Sequence, residues 1–302
     1  MENNVKEEPT RSGFVAIVGR PNVGKSTLLN ALLGKKLSIT SRKPQTTRHR
    51  WLGVHTTGAV QTIYVDTPGM DDRENTALNH AMNRSARAAL VDVDVAVFVV
   101  DGLKWNHGDD QVLALMKHCR CPRILVVNKM DTLHKDDLLS YLPLLAARLP
   151  FEAVIPLSAK RKVNLRVLRE KIATLLPMGP HYFPADQDTD RSLRFRMAEI
   201  IREKIIRLFG DELPYVCTVV IDDYNDKIAV PLISAIIWLE KDGQKAILIG
   251  KQGEKIKKVG IRARHDIENL VGRQVNLKLW VKIRRGWSDD QAALKRFGYG
   301  ES

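Results

Sequence analysis

Nowhere in the 302 residues do apolar side chains run for the roughly 20 positions that a membrane-spanning helix needs, so a transmembrane protein is excluded. Cysteine is scarce: Cys119, Cys121 and Cys217 are all there are. So small and odd a number excludes a disulfide framework and suits a reducing compartment. Cys119-Arg120-Cys121 has no second Cys/His pair nearby to complete a zinc site, so the cysteines read as structural. The first twelve residues, MENNVKEEPTRS, lack both the apolar core of a signal peptide and the acid-poor character of a transit peptide. The protein is expected in the cytoplasm, with residues 1–12 as a flexible tail. No internal repeat and no low-complexity segment occurs.

What is present is an ordinary globular composition, 44% hydrophobic and 27% charged, which excludes a disordered chain. The formal net charge of +13 points to a polyanionic partner, nucleic acid or anionic lipid. Between Gly13 and Leu176, short apolar runs alternate with amphipathic stretches. Strands are predicted at 14–18, 59–65, 93–100, 124–127 and 153–157, and helices at 25–33, 75–90, 109–117, 136–149 and 165–175. Nearly all-apolar strands separated by helices imply an α/β domain, a mostly parallel sheet with helices on both faces. Pro177, Gly179, Pro180 and Pro184 mark a linker at 177–190. Beyond it come a helix at 193–209, strands at 215–221, 232–239 and 246–249, a hairpin signal at Asp242-Gly243, a helix at 256–270 and a strand at 275–283. Together these form a second, α+β domain at 191–302.

Gly19-Arg20-Pro21-Asn22-Val23-Gly24-Lys25-Ser26 fits G-x-x-x-x-G-K-[ST] between a strand and a helix. Such a loop turns backbone N–H groups on a β-phosphate, places Lys25 by the β/γ oxygens and offers the Ser26 hydroxyl to Mg²⁺. Further candidates follow in order at strand ends. Asp66-Thr67-Pro68-Gly69 supplies a carboxylate for the metal and an N–H for a γ-phosphate. Asn128-Lys129-Met130-Asp131 supplies a carboxylate that can accept two N–H bonds from guanine, a donor pattern adenine lacks. Ser158-Ala159-Lys160 offers a backbone N–H to the guanine O6.

In the second domain the charge is concentrated. Residues 245–285 hold twelve Lys/Arg against three Asp/Glu. Within them lies Ile249-Gly250-Lys251-Gln252-Gly253, followed by Lys255-Ile256-Lys257-Lys258. An I-G-x-x-G loop before a basic helix fits an RNA backbone clamp, with Ile249, Ile256 and Ile261 as candidates to line the groove for bases.

Residues 13–176 resemble a translation-factor-type GTPase domain. The run G-R-P-N-V-G-K-S-T-L-L-N, with Thr27 in it, and Pro44-Gln45-Thr46-Thr47-Arg48 are similar to the Era family of ribosome-assembly GTPases. So are Glu199–Lys204, Glu212–Tyr215, Leu279–Lys282 and Gly286–Asp290. The resemblance implies a type II KH domain, binding of the 3′ end of small-subunit (16S) ribosomal RNA and assistance to maturation of that subunit. It also implies that a threonine of the 46–47 pair closes on Mg²⁺. Thr47 is favoured, although the sequence does not separate the two. Met70 stands where a catalytic glutamine would follow Gly69. The resemblance supplies a substitute, a K⁺ ion held beside the phosphates by Asn22, although an asparagine also suits the turn. It further implies a peripheral location on the cytoplasmic face of the inner membrane, for which no amphipathic anchor is evident. A monomer is expected. A passive KH adaptor with a merely structural nucleotide site is the competing reading.

Overall fold

The structure, a computed structural model, describes residues 9–41, 43, 45–70, 76–102, 104–210 and 213–299, apart from the side chain of Lys135. Residues 1–8, Pro44, Asn75 and Glu212, which entered the sequence reading, lie outside this set.

The first domain is a six-stranded sheet in the order β2-β3-β1-β4-β5-β6. Its strands are β1 (Arg11–Val18), β2 (Trp51–Thr57), β3 (Val60–Asp66), β4 (Val95–Asp101), β5 (Arg123–Asn128) and β6 (Ala153–Pro156). Only β2 runs antiparallel. The apolar strands are explained by two-sided burial. Val95, Val97 and Val99 of β4 face one core with Leu28, Leu168 and Ile172, from α1 (Lys25–Leu33) and α5 (Leu165–Leu175). Ala96, Phe98 and Val100 face the other, with Val112, Met116, Leu138 and Leu145. These come from α3 (His107–His118) and α4 (Lys135–Ala146). Helix α2 (Ala77–Ala88) is capped by Thr76, whose hydroxyl accepts from the Asn79 N–H at 3.2 Å.

Two differences from the sequence reading concern this sheet. Arg11 and Ser12, assigned to the tail, belong to β1, because Arg11 N–H donates to Ala59 O and Ser12 N–H to Pro177 O. Strand β2 was missed. Its WLGVHTT sequence has a glycine and a weak alternation, and it is recruited by pairing with β3. Residues 177–190 contain no helix or strand. They are pinned to the sheet edge through Gln61, whose amide side chain bonds Tyr182 and Phe183, and through Val54 N–H to Asp188 O.

The second domain holds α6 (Leu193–Leu208), α7 (Leu213–Val216), β7 (Thr218–Asn225), β8 (Leu232–Leu239), α8 (Asp242–Ile249), α9 (Glu254–Val271), β9 (Asn276–Ile283) and α10 (Gln291–Arg296). Helices α6 and α9 pack Met197, Ile201, Ile205, Val259, Ala263 and Ile267 onto the sheet β7-β8-β9. The predicted strand at 246–249 is a helix. Gln244 Oε1 accepts from the backbone of both Glu240 and Lys241 at 3.0 Å, capping α8, and Leu248 is its buried anchor. Four apolar residues in a row carry no period that separates the two structures. The Asp242-Gly243 pair therefore opens a helix and makes no hairpin. Tyr215 is likewise in the helical turn α7, with Pro214 in its first turn.

Candidate functional site

Strand β1 ends where the glycine loop begins, and the loop closes into α1. Gly24 has φ 101°, and a Cβ there would lie 2.3 Å from the Asn128 side chain, so glycine is required. Asn22, at φ 66°, takes the left-handed conformation that asparagine tolerates. The Lys25 ammonium is buried and donates to the carbonyls of Gly19 (2.8 Å) and Arg20 (3.0 Å). Burial pulls its pKa down to about 8, opposed by the Asp66 carboxylate. Arg20 itself is held by Asp109 of α3 at 2.8 Å. Gly69 lies against this loop, where a Cβ would stand 2.9 Å from Pro21 Cα and 3.0 Å from Lys25 Nζ.

At the end of β3, Asp66 is fully buried. Its Oδ2 accepts from Ser38 Oγ (2.8 Å), Trp51 Nε1 (3.1 Å) and Thr47 Oγ1 (3.4 Å), while its Oδ1 is buried with no partner among the described residues. Burial pushes the carboxyl up to about 6 against the Ser38 hydrogen bond and the Lys25 charge. Ser26 Oγ lies 2.8 Å from Thr47 Oγ1. Thr46 turns elsewhere, its hydroxyl donating to Lys43 O at 2.8 Å. Two hydroxyls and a carboxylate with an unpartnered oxygen are a donor set of the kind Mg²⁺ takes. Thr67 donates to Ile17 O at 2.9 Å and Pro68 is buried. Met70 is buried in the second sheet core, turned away from the loop's chemistry.

Asn128 joins three loops. Its Nδ2 donates to Val23 O (2.8 Å), and its Oδ1 accepts from Ala159 N–H (3.0 Å). Lys129, at φ 64°, donates to Asn22 O (2.8 Å) and Asp101 (2.7 Å). Asp131 is exposed at the start of a single 3₁₀ turn. Ser158 is buried and its Oγ accepts from Arg161 N–H, whereas Lys160 is exposed.

The second glycine loop joins α8 to α9, helix to helix, correcting the strand-to-helix placement read from sequence. Gly250 (φ 73°) and Gly253 (φ 77°) both take positive φ, and a Cβ on Gly250 would lie 2.7 Å from Lys255 Cγ. Lys251, Gln252, Lys255, Lys257 and Lys258 are exposed. Beside the loop runs a groove of about 310 Å³ lined by Ile256, Lys257, Gly260, Ile261, Arg264, Asn276, Leu277 and Leu279. Ile249 lies outside that lining.

The stretches 44–48 and 199–204 were read only as family-like, and sequence reasoning missed that they join the two sites. Arg48, 2% exposed, donates to Pro214 O (2.6 Å) and Cys217 O (2.9 Å) across the domain boundary. Arg202 of α6 donates to Thr46 O and pairs with Glu199. Glu203, fully buried on α6, accepts from Lys36 (2.7 Å) and the Thr40 N–H (3.2 Å). Lys204 beside it pairs with Asp266 of α9, the helix that the clamp loop opens. Helix α2 meets the other end of the second domain, where Leu78 and Met82 pack with Trp287, Leu294 and Tyr299. Contacts made in space leave no motif. The available signal was the run of charged residues Arg202-Glu203-Lys204 on the helix predicted at 193–209.

Residues 14–129 match the family model described as a 50S ribosome-binding GTPase, and residues 212–288 match a KH domain. GTPase Era of Pseudomonas putida is 54% identical over 294 residues, covering 97% of this chain and 98% of that protein. GTPase Era of Marinobacter nauticus is 53% identical over 293 residues, covering 97% and 96%. Two solved structures superpose with a TM-score of 0.93 at 37% identity, each covering 97% of this chain and 100% of the other. One is an Aquifex aeolicus Era variant bound to GDP·AlF4⁻. The other is Era in complex with MgGDPNP and nucleotides 1506–1542 of 16S ribosomal RNA.

Proposed function

The chain belongs to the Era family of GTPases, and on that premise we propose that it is a GTP-driven switch that grips the 3′ end of 16S ribosomal RNA and assists assembly of the small ribosomal subunit. The family model's description names the 50S subunit but covers only residues 14–129. The neighbour bound to 16S RNA matches nearly the whole chain, KH domain included, and so weighs more.

One observation carries the coupling of nucleotide to RNA. In three consecutive residues, the Thr47 side chain sits with Ser26 and Asp66, while the Thr46 carbonyl and the Arg48 guanidinium are fastened to the second domain. A γ-phosphate that draws Thr47 inward must pull on both fastenings. RNA affinity and nucleotide state then influence each other reciprocally.

Nucleotide binding falls to Gly19–Thr27, Asp66–Gly69, Asn128, Lys129, Asp131 and Ser158–Lys160. Asp131 accepts the two guanine N–H groups, and Lys25 neutralises the terminal phosphate oxygens. Ser26, Thr47 and Asp66 would hold Mg²⁺, which when bound offsets the charge that develops on those oxygens. Met70, in the core, takes the position after Gly69 where a glutamine would orient water. As in the GTPases that this loop resembles, Asn22 would hold a K⁺ ion that would supply positive charge beside the phosphates. RNA lies against Gly250–Gly253, Lys255, Ile256, Lys257 and Lys258. The GTPase unit ends near 176 and the RNA-binding unit begins near 191. The protein acts as a monomer in the cytoplasm, and its basic charge allows contact with the inner membrane surface.

The test is twofold. The purified chain should take up GTP in preference to ATP, and Lys251→Asp with Gln252→Asp should abolish binding of a 16S 3′-end RNA at moderate salt. Equal uptake of both nucleotides, or undiminished RNA binding, overturns the reading.

A further inference from the structure

Two of the three cysteines are placed for chemistry of their own. Cys119 closes the C-terminal end of α3 and Cys121 stands two residues before β5, at the end of the sheet remote from the glycine loop. Their Sγ atoms are 2.7 Å apart and both thiols are free. Cys119 is 8% exposed and Cys121 is more open. Cys119 and Cys121 line an open pocket of about 490 Å³, whose wall includes Arg87, His118 and Arg120, with Asp92 as a carboxylate among them. Cys217, by contrast, is fully buried in the core of the second domain.

We propose that Cys119 and Cys121 are a redox site, closing to a reversible disulfide by exchange with a small anionic disulfide of the glutathione type. Two arginines at the pocket wall suit the carboxylates of such a reagent. The step balances. The Cys121 sulfur attacks one sulfur of the incoming disulfide and passes its proton to the Cys119 thiolate that it hydrogen-bonds. That S–S bond breaks and one glutathione thiolate leaves, with the adduct on Cys121 as the more open sulfur. The Cys119 sulfur then attacks the Cys121 sulfur, and the second glutathione leaves with the proton Cys119 gives up. Two protein thiols are oxidised and one glutathione disulfide is reduced to two thiols. Cys119 is the thiolate that takes this proton near neutral pH, because the Cys121 sulfhydryl hydrogen-bonds it and Arg123 lies close. Together they hold Cys119 down at about 6, while the hydrogen bond to Cys119 and burial push Cys121 up.

The folded wild-type protein is incubated with graded ratios of glutathione disulfide to glutathione, remaining thiols are alkylated, and intact mass is read. The expected result is a loss of two hydrogens, restored by dithiothreitol, with Cys217 unmodified until the chain is unfolded. Cys119→Ser should instead retain one glutathionyl group on Cys121, and Cys121→Ser should show no loss of hydrogens. Wild-type protein that stops at the glutathionyl adduct overturns the proposal. So does wild-type protein that keeps both thiols free at ratios where Cys119→Ser is modified. The wild-type measurement decides even if a variant fails to fold.

Discussion

Arg48→Ala removes a guanidinium that is 2% exposed and hydrogen-bonded to Pro214 O and Cys217 O at 2.6 and 2.9 Å. Each charge-assisted bond contributes about 1.5–3 kcal/mol, and alanine leaves both carbonyls without a donor. Arg48 Nε is itself buried without a partner among the described residues, which places the total in the lower half, about 3–4 kcal/mol. Unfolding entropy is about 2.1 cal/mol/K per residue, or about 0.6 kcal/mol/K for the whole chain unfolding as a unit. The melting temperature should therefore fall by about 5–7 °C. The same variant should keep its affinity for GTP but lose most of the difference in RNA affinity between its GTP and GDP forms. Lysine at this position should not restore it, since a point charge cannot serve two carbonyls as the planar fork does. Scanning fluorimetry and filter binding read the two effects. A melting point within 1–2 °C of wild type (about 1 kcal/mol or less), or an unchanged GTP/GDP ratio, would refute the reasoning.

Three further outcomes are expected. If Asp66 holds Mg²⁺ as proposed, its carboxyl, raised by burial to about 6, must be ionised; Mg²⁺-dependent nucleotide affinity should be full above that pH and fall about tenfold per unit below it, while a profile flat down to pH 5 contradicts that role. His49, stacked on Tyr299 with centroids 4.3 Å apart, is pushed by burial from 6.5 down to about 4. The unfolded chain then binds more protons between those values, so stability is full above pH 6.5 and drops by about 2 kcal/mol from pH 7 to 5; His49→Gln should lessen that slope, and an unchanged slope in denaturant titrations would exclude His49 as its source. GTP turnover should be several-fold faster in K⁺ than in Na⁺, with the difference lost in Asn22→Ala; equal rates in both salts for the intact protein would leave Asn22 to the turn alone.

The glycine loop, the carboxylate that ends β3 and the Asn128-Lys129 turn were legible because each is a short local pattern at a strand end, where a parallel sheet presents its ligands. Leu277, Leu279, Val281 and Ile283 of β9 were legible because alternation on a half-buried strand has one reading. Helix α8 was not, because Ala246-Ile247-Leu248-Ile249 is apolar without a period, and its deciding feature is the Gln244 cap. Strand β2 was not, because pairing with β3 makes it a strand. The position of Thr47 beside Ser26 and Asp66, and the fastening of Thr46 and Arg48 to α6 and α7, are long-range facts. Residues 46 and 202 share no local pattern, and only the folded chain brings them together.

The most direct measurement of that fastening is the affinity of a 37-nucleotide RNA (positions 1506–1542 of 16S ribosomal RNA) for the purified chain, with a non-hydrolysable GTP analogue and with GDP, at several salt concentrations. The expected result is tighter binding with the GTP analogue, by a factor of about 5 to 150, persisting as salt rises. Equal affinities for the two nucleotide forms across the salt series would contradict a switch that runs from Thr47 to the Gly250–Gly253 loop.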